Sequence, residues 1–277
     1  MDYTEKNAKA IDIWVDEGWE WGRPISREVF AKSRNGDWSV LLTPFKPVPK
    51  EWFEPYYKNA KLTGVKLLGL ASGGGQQMPV FAALGADCTV LDYSDRQLLS
   101  EKVVAEREGY DINIVKADMT APLPFCGESF DMIFHPVSNC YVEDVYHIWN
   151  ECYRILKPGG VLLAGMDNGA SYLFNYDYDE FDIPKLSKMY KMPFNPLKNP
   201  ELREEFNAPD EAFEFSHTLE EQIGGQLKAG FALTDLYEDM DAGTLLAHYN
   251  FPEYIATRAV KPQVTCSHHN PRAVSYH

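Results

Sequence analysis

The chain has 277 residues, 45% hydrophobic and 24% charged, ordinary proportions for a globular protein with a sizeable core. Its formal charge of −15 argues against a nucleic-acid partner, because binding a phosphate backbone requires a Lys/Arg footprint. Five cysteines (Cys88, Cys126, Cys140, Cys152 and Cys266) contain no CxxC pair, which argues against a disulfide framework or a thiolate zinc site and for reduced thiols in the cytoplasm.

The start, MDYTEKNAKAIDIW, lacks the continuous apolar core of a signal peptide. Ile11, Trp14 and Val15 recur at helical spacing and predict a helix over 4–17 that stops near Gly18. Residues 1–60 hold five of the six tryptophans, Trp14, Trp19, Trp21, Trp38 and Trp52, among the pattern breakers Gly22, Pro24, Gly36, Pro44, Pro47 and Pro49. So many aromatics cannot all be buried within the segment itself. It is expected to cap the core, either over a ligand mouth or as a packing layer.

From Val65 strands and helices alternate through residues 61–167. Val65–Leu70 is far shorter than the ~20 apolar residues of a membrane span, as is every other apolar run, so no membrane partner is expected. It lacks helical periodicity and predicts a buried parallel strand. It leads into Ala71-Ser72-Gly73-Gly74-Gly75-Gln76, where glycines permit positive φ and a close approach of backbone to ligand. A helix over 76–84, closed by Gly85, follows. The next strand, 87–92, ends at Asp92, 19 positions past Gly73 and close to the ~20 expected of a ribose-binding carboxylate. Ser94 and Gln97 form a capping box for a helix that runs to Gly109. Strands at 112–115 and 130–134 precede Lys116-Ala117-Asp118-Met119 and His135-Pro136. Val145, Ile148, Trp149, Cys152, Ile155 and Leu156 form one helical stripe, stopped by Lys157-Pro158-Gly159-Gly160 before a fifth strand at 161–164. This alternation predicts an α/β fold, a parallel sheet with helices on both faces, in which Gly73, Asp92, Asp118 and His135 meet at one edge.

Residues 168–215 interrupt the alternation. Tyr172, Phe174, Tyr176 and Tyr178 fall at every second position, interleaved with Asp177, Asp179, Glu180 and Asp182, and prolines follow at 184, 193, 196 and 200. The stretch is expected to be a lid or substrate-binding insertion, with packing alone as the alternative; its aromatic alternation suits an edge strand or an adhesive loop face. Residues 216–262 supply a helix over 218–229, ended by Gly230, and two closing strands, 231–237 and 254–260. The tail, 263–277, has no periodicity, and its adjacent His268 and His269 are expected to face solvent, not to bind metal.

Four marks in order, LLGLASGGGQQ, VLDYSDRQL, VKADMT, and SFDMIFHPVSN followed by ECYRILKPGGVLL, resemble the class I S-adenosylmethionine-dependent methyltransferases. The resemblance covers about residues 60–260. It implies a Rossmann-like sheet of seven strands, mostly parallel with the last antiparallel. It also implies S-adenosylmethionine as cofactor, S-adenosylhomocysteine as product, and in-line methyl transfer to a small-molecule acceptor. The backbone of Ala71, Ser72, Gly73 and Gly75 would face the methionine part of the cofactor and Asp92 the ribose hydroxyls. Tyr93 would lie against the adenine, with Asp118 accepting from its amino group and the Met119 amide donating to its ring. His135 and Pro136 would flank the sulfonium. The first motif departs from the family's at Gly69, where an acidic residue is frequent, and at Ala71, where glycine is. Gly69 removes a carboxylate that helps hold the cofactor's amino group, which directs attention to the cap, Gln76 and Gln77.

His135 is the candidate general base, because histidine titrates near neutral pH; Tyr141, His147 and His217 are further candidates. The tetrad His135-Pro136-Val137-Ser138 differs from the Asn/Asp-Pro-Pro-Tyr common in enzymes that methylate amino groups of nucleobases and glutamine, which counts against that chemistry. Acidic and aromatic groups in the insertion suit an apolar or cationic acceptor. Two other readings compete. A module that binds the cofactor for regulation or assembly without transferring methyl is kept open by Gly69 and by the lack of an assigned base. An NAD-dependent oxidoreductase would need a third glycine where Met78 stands and would not explain VKADMT or LKPGG. A phosphate-binding NTPase is excluded by the missing Gly-Lys-Ser/Thr.

Overall fold

The computed structural model of the protein describes residues 2–179 and 184–263. Glu180 and Asp182 of the insertion, and Cys266, His268 and His269 of the tail, lie outside the described residues. The elements in chain order are α1 (Tyr3–Asp16), α2 (Arg27–Arg34), β1 (Lys66–Leu70), α3 (Gln77–Ala83), β2 (Asp87–Asp92), α4 (Asp95–Glu108), β3 (Asn113–Lys116), β4 (Phe130–His135) and α5 (Val145–Ile155). They continue with β5 (Leu156–Asp167), β6 (Phe174–Tyr178), β7 (Pro184–Met189), α6 (Pro200–Glu205), α7 (Leu219–Ala229), β8 (Ala232–Asp239), α8 (Leu245–His248) and β9 (Tyr254–Val260).

Seven strands form one sheet in the order β3-β2-β1-β4-β5-β9-β8. The pairs among β1 to β5 are parallel, and β9 runs antiparallel to both β5 and β8. This is the expected Rossmann-like plan. Successive side chains of a strand point to opposite faces, so each apolar strand feeds two cores. Leu67, Val90, Met132, Phe134, Val161 and Leu163 pack with Met78 and Phe81 of α3 on one face. Leu68, Leu91, Ile133, Leu162 and Ala164 pack under Ile148, Trp149 and Cys152 of α5 on the other. Helix α7 can lie close to α5 because Gly225 has no Cβ; one there would overlap the Trp149 ring. Among the described residues no helix is long and apolar enough to cross a membrane.

Helix ends follow their residues. Thr218 and Glu221 form a full capping box for α7, and Gly109 and Gly230 close α4 and α7 with left-handed backbones at φ 70° and 108°. At α4 only half of the expected box forms. Ser94 Oγ accepts the Gln97 N–H at 3.1 Å, but the Ser94 N–H is taken by Asp92 Oδ1 at 3.0 Å, so the Gln97 side chain has no donor to reciprocate with. Strand β5 also begins earlier than expected. Lys157-Pro158-Gly159-Gly160 lies within it, because Gly159 donates to the Lys261 carbonyl at 2.7 Å and Gly160 accepts from Lys261 at 2.9 Å.

Residues 38–53 serve as a packing layer: Trp38, Leu42, Trp52 and Phe53 are buried in the first core. Leu42 crosses the sheet so closely that a Cβ on Gly165 would overlap its carbonyl oxygen, and the same oxygen accepts the Val137 N–H at 3.1 Å. The aromatic alternation of the insertion becomes a separate hairpin of β6 and β7, outside the main sheet.

Candidate active site

A cavity of about 300 Å³ opens along the carboxyl edge of the sheet. Its floor follows strand order. The turn after β3 contributes Asp118 and Met119, β2 contributes Asp92 and Tyr93, and β1 contributes Ala71, Ser72, Gly73 and Gln76. Pro136, Val137 and Ser138 follow from β4, Asp167 from β5 and Tyr254 from β9. The walls come from distant parts of the chain: Thr4, Asn7, Ile11, Trp19, Trp21 and Leu41–Pro44 from the cap, and Tyr172 and Glu214 from the insertion.

The glycine turn is packed on all sides. Gly74 and Gly75 have positive φ of 93° and 69°. A Cβ on Gly74 would overlap the Trp21 carbonyl, and one on Gly75 would press on the Ser100 carbonyl. The Gly73 N–H donates to Asp92 Oδ2 at 3.0 Å, and Asp92 Oδ1 accepts from Ser94. Backbone N–H groups thus hold both carboxylate oxygens in place while they still face the cavity. Burial raises the Asp92 pKa, against the lowering by the backbone donors of Ser94, Gly73 and Tyr93. Asp118 Oδ1 accepts from both the N–H and the hydroxyl of Thr120 at 2.8 Å, which fixes its orientation.

Of the residues singled out from sequence, Ala71, Ser72, Gly73, Gln76, Asp92, Tyr93, Asp118, Met119 and Pro136 line the cavity. Gly75 does not; its N–H turns into the protein and donates to Glu101 Oε1 at 2.8 Å. Gln76 is committed elsewhere, since its Nε2 donates to the carbonyls of Glu20 at 2.7 Å and Arg23 at 3.2 Å and ties the turn to the cap. Ser72 Oγ is buried at the cavity without a protein partner.

His135 departs from expectation both as base and as a cofactor contact. Its ring is fully buried, with Nδ1 2.9 Å from the Leu70 carbonyl and Nε2 2.8 Å from the Asn139 amide oxygen. Both nitrogens are spent inside the protein, burial lowers the pKa, and the ring does not line the cavity. His217 is similarly held, by the carbonyls of Asn139 and Val142, and His147 bonds the Ala121 carbonyl at the surface. Among the described residues, no histidine, lysine or arginine lines the cavity. Sequence reading missed Asp167, Glu214 and Tyr254. Asp167 had a usable signal, a carboxylate at the end of a strand in the same sheet; Glu214 had none.

One cap helix joins the two ends of the cavity. Asp12 of α1 accepts from Ser94 Oγ at 2.6 Å and the Arg96 N–H at 2.9 Å, beside Asp92. One turn earlier, Asn7 exchanges two hydrogen bonds with the Phe213 backbone, at 2.8 and 2.7 Å, next to Glu214.

The methyltransferase domain family matches residues 68–164. Over 257 residues the chain is 42% identical to the uncharacterised methyltransferase YbaJ of Bacillus subtilis, covering 92% of this chain and 97% of that one. The chain belongs to the methyltransferase family. A ubiquinone biosynthesis O-methyltransferase of Cereibacter sphaeroides is 30% identical over 105 residues, 38% of this methyltransferase and 42% of that protein. The S-adenosylmethionine-dependent methyltransferase of Mesorhizobium loti superposes with a TM-score of 0.54 at 17% identity, over 72% of this chain and 92% of that one, and shares the class I fold.

Proposed function

We propose that this methyltransferase transfers the methyl group of S-adenosylmethionine to a small-molecule acceptor. The observation that carries the reading is the Asp92 carboxylate, oriented by the Gly73 and Ser94 amides at the rim of the cavity. A carboxylate's two oxygens match the spacing of the adjacent hydroxyls of a ribose. Tyr93 offers its ring to the adenine, Asp118 accepts from the adenine amino group, and the Met119 amide donates to the ring. Ala71, Ser72 and Gly73 face the methionine part, where the unpartnered Ser72 Oγ and Gln77 take over from the acidic residue absent at Gly69.

The bound cofactor supplies an already activated methyl group, so the chain's work is to align the acceptor in line and exclude water. Pro136 and Val137 bound the middle of the cavity, while Trp19, Trp21 and α1 roof it. A small acceptor suits a cavity of about 300 Å³. The charge of −15, and the absence of cationic side chains from the lining among the described residues, speak against a polymer bound through phosphates. The partial relative named for ubiquinone biosynthesis points the same way.

To test this, the purified protein is incubated with S-adenosylmethionine and either the low-molecular-weight or the macromolecular fraction of a cell extract. S-adenosylhomocysteine should form with the first fraction. Formation only with the second would overturn the small-molecule reading, and none with either would favour a non-catalytic binder.

A further inference from the structure

The part of the cavity beyond β4 has its own chemistry. Asp167 stands at the end of β5 and pairs across the sheet with Tyr254, the first residue of β9. Tyr141 comes from the turn after β4, while Tyr172 and Glu214 come from opposite ends of the insertion. Asp167 is only 3% exposed; its Oδ1 accepts the Gly169 N–H at 2.9 Å, but its Oδ2 has no partner. Glu214 Oε2 accepts the Tyr172 hydroxyl at 2.7 Å. Among the described residues no cation lines this end of the cavity, and a buried carboxylate with an open oxygen is costly until a positive group meets it. Carboxylates ringed by aromatic side chains are the chemistry that receives an ammonium group.

We propose, within the methyl-transfer reading, that the acceptor is a small amine whose nitrogen is bound by Asp167 and Glu214 among Tyr141, Tyr172 and Tyr254, and that Asp167 removes its proton. An aliphatic ammonium must lose a proton before it can attack. Asp167 Oδ2 takes that proton, and the freed lone pair forms the N–C bond while the electrons of the breaking C–S bond stay on sulfur. The positive charge passes from the sulfonium to the methylated ammonium, which the Glu214 carboxylate stabilises while Asp167 holds the proton it took. Burial, followed by the nearby Glu214, pushes the Asp167 carboxyl up to about 7, where it exchanges protons near neutral pH. The chemistry differs from amide or nucleobase methylation, whose usual tetrad is absent at His135-Pro136-Val137-Ser138.

Calorimetry on the full chain loaded with S-adenosylhomocysteine tests this with three probes of one shape: phenethylamine, phenethyl alcohol and phenylacetate. The amine should bind at least ~10-fold more tightly than the alcohol, and the acid should not bind. Asp167→Asn, which keeps the Gly169 acceptor, and Glu214→Gln should each reduce that preference while leaving S-adenosylhomocysteine affinity within about twofold of the unaltered chain. Equal or better binding of the alcohol or acid, or no binding of the amine, overturns the proposal. So does an Asp167→Asn loss in S-adenosylhomocysteine affinity as large as the loss for the amine, since Asp167 would then serve the cofactor's own ammonium. Failure of S-adenosylhomocysteine to bind the unaltered chain overturns the cofactor reading and this proposal together.

Discussion

At the level of single residues, the first motif carries two departures from its family, and each has a physical counterpart. Ala71 sits at φ 46°, a left-handed backbone that glycine adopts without cost. Ala71→Gly should therefore raise stability by about 1 kcal/mol, read as a Tm rise of roughly 2–4 °C in a calorimetric scan. Gly69 leaves room for the Met78 sulfur, which a Cβ at 69 would overlap. Gly69→Asp should cost about 3 kcal/mol or more in urea unfolding, by overpacking and by burying a charge. Asp92, Asp118 and the glycine turn were legible because each follows its strand within a few residues, so local order alone places them at one edge. Glu214 was not legible. It sits in a stretch without periodicity and reaches the cavity through Asn7, 206 residues away from its neighbour Phe213. His135 was misread because its position after β4 says nothing of which way the ring turns; the Leu70 carbonyl and Asn139 hold it inward.

At the level of elements, the glycine turn is coupled to α4 by Glu101, which is fully buried and accepts the Gly75 N–H. Burial raises its pKa from 4.5 to about 8. The folded chain thus keeps a proton that the unfolded chain loses near 4.5. The stability contributed by this group is full below that pH, falls as pH rises towards about 8, and then levels. Glu101→Gln keeps an acceptor for Gly75 and removes the titration. Thermal unfolding should find the variant close to the unaltered protein near pH 5 and more stable than it near pH 9, by on the order of a few kcal/mol. Equal differences at both pH values would contradict this origin. Strand and helix placement was read well where apolar periodicity was clean, as in α5 and β2. It failed where the backbone's partners are remote: only pairing with Lys261 draws Lys157-Pro158-Gly159-Gly160 into β5.

At the level of the whole molecule, α1 bridges the Asp92 and Glu214 ends of the cavity, through Asp12 to Ser94 and through Asn7 to Phe213. Asn7→Ala should leave the Phe213 N–H and carbonyl without partners and cost about 2 kcal/mol locally. Hydrogen exchange should then speed up in residues 3–16 and 206–215 together, with β1 unchanged. From sequence, residues 1–60 and 168–215 are expected to lie outside the alternating core. That they meet each other over the cavity is a contact between segments some 200 residues apart, and no local pattern encodes it.

Calorimetric titration of S-adenosylhomocysteine into the full chain and into Asp92→Ala tests most directly whether the Asp92 edge is the cofactor site. The unaltered protein should bind, and Asp92→Ala, having lost two charge-assisted hydrogen bonds, should bind at least ~100-fold more weakly. No heat with the unaltered protein, or the same affinity in both, would contradict it.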